Sequence, residues 1–451
     1  METSTFLKYF EGHSGIAKVV KKADAPPGEQ IHLHGLIGSA KTILLAKIFQ
    51  EIQLNCVVLL NDREEAAYFY DDLNNLGFAE NTLFFPSSYK RSVQYDSPEQ
   101  ENIVQRTGVL NLLSTAEKPY FVVSYPEAII EKVISNDSLE TNTLQVKSGD
   151  KISIDFINEF LYEYGFERVD FVYEPGQFSV RGSIVDIFSF SNEDPFRLDF
   201  FGDEVDSIRT FDIENQLSKD RLNKITIVPN IQNSSVEGDR ISFIDFQEQK
   251  SLMFGNNLNQ FFDRIAELYR QTIVSREDEN IAELLLTSGE LEKQLKTKTV
   301  FDFGNDLAFS PDERIDFNTS KQPVFNKNFE LLGTNLTEHS KNGYEIFILS
   351  SQEKQIERLQ SIFKDTDVKV TFNPVNFVLH EGFIDHELRA CFYTDHQIFE
   401  RYHRFKLKNR KAQREAISLK ELNKLHPGDY VVHIDHGIGK FAGLARTEVN
   451  G

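Results

Sequence analysis

The chain is 451 residues long, 40% of them hydrophobic, with 39 phenylalanines and no tryptophan. That is enough apolar mass for about three domains with real cores. Its 70 acidic against 49 basic residues leave a net charge of −21. This argues against a free-standing nucleic-acid binder, which carries a basic footprint. The acidity reads first as a device for solubility, with a partner offering a basic or mixed surface as the sharper alternative.

Cys56 and Cys391, far apart in the chain, make neither a disulfide framework nor a zinc spacing, which predicts a reducing cytoplasm. The first 30 residues contain no apolar run flanked by basic residues, so neither a secretory signal nor a membrane span is expected. In chain order, residues 1–25 predict a short helix with a basic end, Lys18 to Lys22, broken at Pro26-Pro27-Gly28. A strand over Gln30–His34 leads through a glycine-bearing turn into a helix over Lys41–Glu51. Cys56–Leu60 is a buried strand, and Asp62 a helix N-cap with Glu64 and Glu65 in the first turn, where the helix dipole favours them. Strands over Leu83–Phe85 and Tyr120–Ser124 flank a helix over Pro98–Leu113. Strands alternating with helices predict a parallel α/β sheet for residues 1–144.

After a polar stretch, Asp137 to Thr143, an amphipathic helix spans Ser153–Tyr164. Then Phe178, Val180 and Ile184 alternate with Ser179, Arg181 and Ser183, and Phe196, Leu198 and Phe200 with Arg197, Asp199 and Phe201. Period-2 alternation punctuated by the turn Ser189 to Pro195 and by Gly202-Asp203 predicts three half-buried antiparallel strands. This small α+β domain is placed at 145–210. Residues 211–320 read as a helix-rich return to the first domain, with helices over Asn257–Arg276 and Asp278–Lys296. Residues 321–400 read as a further α/β domain: strand Gly343–Ser350, helix Gln352–Phe363, strands Val368–Thr371 and Ala390–Tyr393. A basic helical linker, 401–425, carries Arg401, Arg404, Lys406, Lys408, Arg410, Lys411 and Arg414. Residues 426–451 open a strand-rich β domain that stops midway, so the chain is expected to be a fragment.

The string FSVRGSIVDIF followed by FRLDFFGDEVDSIRTFD closely resembles domain 2 of UvrB and the matching domain of the transcription-repair coupling factor family, Mfd. The C-terminal LHPGDYVVHIDHGIGKFAGL resembles the start of the small β domain with which that family, like CarD-type regulators, holds RNA polymerase. UvrB has no such segment. The resemblance therefore implies the amino-terminal part of a coupling factor. It implies a P-loop-like parallel α/β domain (1a, returning as 1b), an inserted UvrA-binding domain, a further α/β domain and a truncated polymerase-binding domain. UvrA and RNA polymerase are the implied partners. DNA contact, ATP and magnesium are implied for a C-terminal motor not present in this segment, which makes the whole protein an ATP-dependent DNA translocase. No cofactor and no catalysis are expected of the segment, and its location is expected to be the bacterial cytoplasm.

Three sets of residues invite chemistry. Gly35, Gly38, Ala40, Lys41 and Thr42 follow a strand and open a helix, the context of a P-loop. Ala40 stands where the pattern has glycine, a cost of about 1–2 kcal/mol if φ there must be positive. Lys41 can still reach a phosphate and Thr42 a magnesium ion. Hydrolysis also needs a carboxylate at a strand end. The only apolar strand ending in acid near the loop is read as Val57 to Asp62, with Asp62 better suited to capping. With no DExH or DExD box and no second helicase lobe, a degenerate nucleotide site is expected. An active UvrB-type ATPase or helicase is the alternative.

The second set is Arg168, Arg181 and Arg197, which match UvrA-contacting arginine positions of UvrB by the resemblance, while a fourth such position is Ser179 here. On the residues alone, Arg181 and Arg197 pair across strands with Asp186 or Asp199, each pair contributing about 0.2–1 kcal/mol. The third set, His32 with His34 and His433 with His436, lacks a third ligand at metal spacing and reads as structural. The short path from Phe85 to Tyr120 leaves little room for UvrB's damage-probing hairpin, so damage verification is not expected.

Overall fold

The computed structural model describes residues 1–88, 100–231, 238–247, 251–275, 281–365, 370–402, 405, 426, 428–433 and 437–441. Residues Met1–Phe405 form one compact unit and Lys406–Gly451 another. Of the second, the antiparallel hairpin Tyr430–His433 with Gly437–Lys440 is described. The expected linker helix at 401–425 falls almost wholly outside the described residues.

The first sheet has seven strands, all parallel. Their order is Glu313–Asp316, Gln30–His34, Thr299–Asp302, Ser251–Gly255, Asn55–Leu59, Phe121–Ser124, Thr82–Phe84. Two of the central strands, Ser251–Gly255 and Thr299–Asp302, come from the stretch expected to be helix-rich. Both are buried on both faces, so neither shows the alternation that marks a half-exposed strand. The return to the first domain is thus the insertion of strands into the middle of its sheet. The two longest helices described in that stretch are Leu258–Ser275 and a shorter Ser288–Leu295, capped by Thr287 and Glu290 in a reciprocal box.

The second sheet has six strands in the order Ser218–Leu222, Glu204–Phe211, Phe196–Phe201, Ile184–Ile187, Gln177–Arg181, Glu167–Arg168. It is antiparallel except for its last pair. The sheet runs on past residue 210, the expected limit, which falls inside the strand Glu204–Phe211. The helix Ile154–Glu163, capped by the Ser153 hydroxyl, buries Ile157 and Leu161 against Phe178, Val185, Leu198 and Ile208. On Phe196–Phe201 the alternation read from sequence is the one observed, with Phe196, Leu198 and Phe200 in this core and Arg197, Asp199 and Phe201 on the other face. On Ile184–Ile187 it is not: Val185 and Ile187 go to the core and Ile184 stands opposite Arg181, because the turn at Gly182-Ser183 shifts the phase.

The third sheet orders Thr319–Lys321, Phe383–Asp385, Ala390–Thr394, Glu345–Leu349 and Asn373–Val375. The strand expected at Val368–Thr371 lies partly outside the described residues, and Asn373–Val375 takes the edge. The first residues of the chain pack here, whereas the helix Ser14–Ala23 rests against the helix Ala40–Ile52 and the strand Glu313–Asp316 of the first sheet. Two helices, Thr3–Lys8 and Ser14–Ala23, replace the single one expected, and Phe6 and Phe10 pack on Phe392. No helix among the described residues is long and apolar enough to cross a membrane.

Candidate functional site

The strand Gln30–His34 runs into a loop whose shape rests on two glycines. Gly35 has φ +85° and a Cβ there would strike the Phe317 carbonyl, while Gly38 has φ +54°. Ala40 is not among the residues with left-handed φ. The strain expected of its methyl group therefore does not arise, because the helix Ala40–Ile52 already starts there. The loop winds into a tight turn: the Ala40 amide donates to the Ile37 carbonyl (3.2 Å) and the Lys41 amide to Gly38 (3.3 Å). The Ser39 amide donates to the Glu381 carbonyl (3.2 Å) and the Ile37 amide to the Thr319 hydroxyl (3.1 Å).

The polar side chains of the loop are also engaged. Lys41 Nζ donates to Asn256 Oδ1 at 3.1 Å, and Asn256 donates on to Glu65. Glu65 in turn accepts from the Asn61 amide at 3.0 Å. Burial lowers the Lys41 pKa, against the pull of Glu65, Glu381 and Asp302. The Thr42 and Ser39 hydroxyls both turn toward Asp72 Oδ2, at 3.5 and 2.6 Å. Beside the loop lies a cavity of about 350 Å³, bordered by Leu36, Lys41, Asn256, Asn305, Lys321 and Glu381.

Asp62 is the N-cap expected of it, its Oδ1 accepting from the Glu65 amide at 2.8 Å. It is not the only acid ending an apolar strand near the loop. Asp302 ends Thr299–Asp302, immediately beside the strand that feeds the loop, with His32 opposite it. Its carboxylate accepts from the amides of Asn257, Leu258 and Gly304 and so caps the helix Leu258–Ser275. Burial drives its pKa up to about 6, with those amide bonds opposing.

The second sheet gathers charge on its outer face. The register aligns Ser179, Asp186, Arg197, Arg209 and Arg221 in one row across the strands. Asp186 is fully buried and is the centre of the row. Arg197 chelates it through Nε (2.7 Å) and Nη2 (2.9 Å), and gives its remaining nitrogen to the Gln216 carbonyl at 3.1 Å. The Arg197 side chain is 15% exposed and lies over the Phe211 ring. Arg181 reaches the same carboxylate at 2.5 Å, bonds the Asp170 carbonyl at 2.8 Å, and packs on Phe171. Its side chain is 34% exposed, as Phe171 is 48%. Ser179, standing in for the fourth arginine, is buried and donates to the Asp170 carbonyl at 2.9 Å. Arg168 is exposed on the edge strand next to them. Asp199 takes Arg209 and Ser207 rather than Arg181 or Arg197.

His32 Nε2 donates to the Gly304 carbonyl at 2.9 Å, and burial lowers its pKa. His34 is half-buried and meets Asp316. His433 lies in the described hairpin, and His436 is outside the described residues, as are residues 89–99 on the path from Phe85 to Tyr120. Among the described residues no group of three or more His, Cys, Asp or Glu is placed to hold a metal ion.

The row-bearing sheet and its helix coincide with a family match. Residues 144–232 match the UvrB interaction domain, and residues 425–451 the CarD-like/TRCF RID domain. The chain is homologous to the transcription-repair-coupling factors. It is 24% identical to that of Bacillus subtilis (strain 168) over 93% of its own length and 42% of the relative's. The Haemophilus influenzae (strain ATCC 51907 / DSM 11121 / KW20 / Rd) transcription-repair-coupling factor is 25% identical over 94% of this chain and 43% of its own. The Staphylococcus aureus (strain bovine RF122 / ET3-1) one is 22% identical over 92% and 42%. The chain thus spans about two-fifths of the transcription-repair-coupling factors it matches. Sequence reasoning reached the three arginines and the loop. It missed Asp72, Asp302 and the Lys41–Asn256–Glu65 chain, whose members carry no local signal because their partners lie tens to hundreds of residues away.

Proposed function

We propose that this chain is the recruiting, non-catalytic part of a transcription-coupled repair factor. UvrA docks on the second sheet, and RNA polymerase is held by the domain that begins near residue 426. The observation that supports this most is the UvrB interaction match over residues 144–232, centred on a sheet edge where Arg168, Arg181 and Phe171 are reachable from solvent. Arginine suits this task because its planar fork pairs with carboxylates and tolerates desolvation. Arg168 and Arg181 are the direct contacts. Arg197 serves the same surface from below, by neutralising Asp186 so that Arg181 keeps a free edge.

The first domain is a P-loop-like fold without the P-loop's chemistry. Its lysine is tied to Asn256, its threonine faces Asp72, and its nearest strand-end acid caps a helix. Among the described residues, the two strand-end acids near the loop that could organise a magnesium ion and an attacking water, Asp62 and Asp302, are both spent on helix caps. The segment therefore takes no nucleotide. ATP, magnesium and the main DNA contacts belong to a motor elsewhere in a whole bacterial, cytoplasmic translocase.

The test is a pull-down of the chain with purified UvrA. Arg168→Glu is expected to abolish capture while leaving the melting temperature within a few degrees. Arg181→Ala, which leaves Asp186 its bidentate pair with Arg197, is expected to do so with a modest loss of stability. Truncating a desolvated interfacial charge pair costs about 2–5 kcal/mol of binding. Undiminished capture by both variants refutes the arginine edge. ATP with magnesium is expected to leave the melting temperature unchanged, whereas a rise, with turnover, would establish a UvrB-type ATPase instead.

A further inference from the structure

The glycine-bearing loop is not merely idle. On one side, Ser39 and Glu381 hold each other by two bonds. The Ser39 amide donates to the Glu381 carbonyl at 3.2 Å, and the Glu381 amide to the Ser39 hydroxyl at 3.0 Å. Asp72, 2% exposed, ties the two together: Oδ2 accepts from the Ser39 hydroxyl and Oδ1 from the His380 amide, both at 2.6 Å. The Tyr68 ring, one turn before Asp72 on the helix Arg63–Leu73, stacks on His380 with centroids 3.6 Å apart. A Cβ on Gly38 would come within 3.0 Å of the Glu381 Cβ and 3.3 Å of two backbone oxygens. The close approach of residues 381–382 thus needs glycine there. On the other side, the Thr319 hydroxyl accepts from the Ile37 amide and donates to the Gly35 carbonyl at 2.5 Å.

Thr319 and residues 379–382 belong to, or lead into, adjacent strands of the third sheet. Loop amides of this kind, at a helix N-terminus, form an anion seat when they are left open. Here oxygens from the third sheet take the Ile37 and Ser39 amides, and the loop's own carbonyls take those of Ala40 and Lys41. The charge placement agrees: Asp72 supplies the negative group beside the helix start, where an anionic ligand would otherwise sit.

We propose that the loop Gly35–Thr42 has become an intramolecular socket, with residues 379–382 as its resident ligand and Asp72 as the group that locks them in place. The third sheet is thereby joined to the first through the loop, and a polyphosphate cannot reach the Ile37 and Ser39 amides without displacing Thr319 and Glu381. This holds whether or not the partner reading above is right, since no partner protein is involved.

Hydrogen exchange followed by mass spectrometry on the whole chain tests it. In Asp72→Ala the amides of Ser39, His380 and Glu381 are expected to exchange roughly tenfold faster, or more. The strands Asn55–Leu59 and Ala390–Thr394 are expected to keep their protection. Ser39→Ala, a milder change that removes the hydroxyl shared by Asp72 and Glu381, is expected to loosen the same amides and decides the matter if Asp72→Ala does not fold. Inorganic pyrophosphate is expected to leave exchange across residues 35–42 of the unaltered chain as it is. Unchanged protection at His380 and Glu381 in Ser39→Ala overturns the socket, as does pyrophosphate slowing exchange across the unaltered loop.

Discussion

Two regions of this molecule concentrate cationic side chains near buried acids, and they treat them in opposite ways. In the parallel first sheet, Lys41 is drawn inward and satisfied by a neutral amide, Asn256, which accepts from it through Oδ1 and donates through Nδ2 to Glu65. In the antiparallel second sheet, Arg181 and Arg197 share the buried Asp186, yet Arg181 keeps a third of its side chain in solvent. The difference follows from sheet type. A parallel sheet buried on both faces leaves the end of its strands as the place for polar chemistry. An antiparallel sheet with one face outward can hold a charged row in the open. It also follows from the cation, since guanidinium has five donors, enough to neutralise a buried carboxylate and still present an edge.

The comparison is broken most forcefully at Asp186. Asp186→Ala strands two guanidinium groups against a half-buried face, and denaturant unfolding should show a loss of about 3–5 kcal/mol. A loss below about 1 kcal/mol would mean that the row is ordinary surface pairing. At the first sheet, Asp302 gives a titration signature. Its folded pKa of about 6 lies above the usual carboxylate value, so the folded state binds this proton more tightly than the unfolded chain does. Relative to Asp302→Asn, which does not titrate, the natural chain should therefore gain stability as pH falls from about 6.5 to about 4, by up to about 3 kcal/mol. Parallel pH profiles of the two proteins would contradict the buried-cap assignment.

Lys41→Met removes a desolvated ammonium without changing bulk. It should alter stability by under about 1 kcal/mol, because the gain in desolvation offsets the lost bond to Asn256. A larger loss would give Lys41 a structural weight that the geometry does not suggest. The smallest effect belongs to Arg168→Ala, which should move unfolding by no more than about 0.5 kcal/mol, as for exposed residues generally, while weakening UvrA capture. A marked destabilisation would move Arg168 from the contact edge into the fold.

Local pattern carried much of this. The alternation of Phe196, Leu198 and Phe200 with Arg197, Asp199 and Phe201 specifies a half-buried strand and its outward face, because side chains on a pleated strand point alternately to its two sides. Asp62 followed by Glu64 and Glu65 specifies a helix start, because capping is settled within one turn of chain. The strands Ser251–Gly255 and Thr299–Asp302 left no such trace, since a strand covered on both faces has no period to read. What the loop does with its amides was likewise decided only in three dimensions. Its partners Thr319 and Glu381 arrive from some 280 and 340 residues away. Only the closing of one sheet against another could tell whether those N–H groups would meet a ligand or the chain itself.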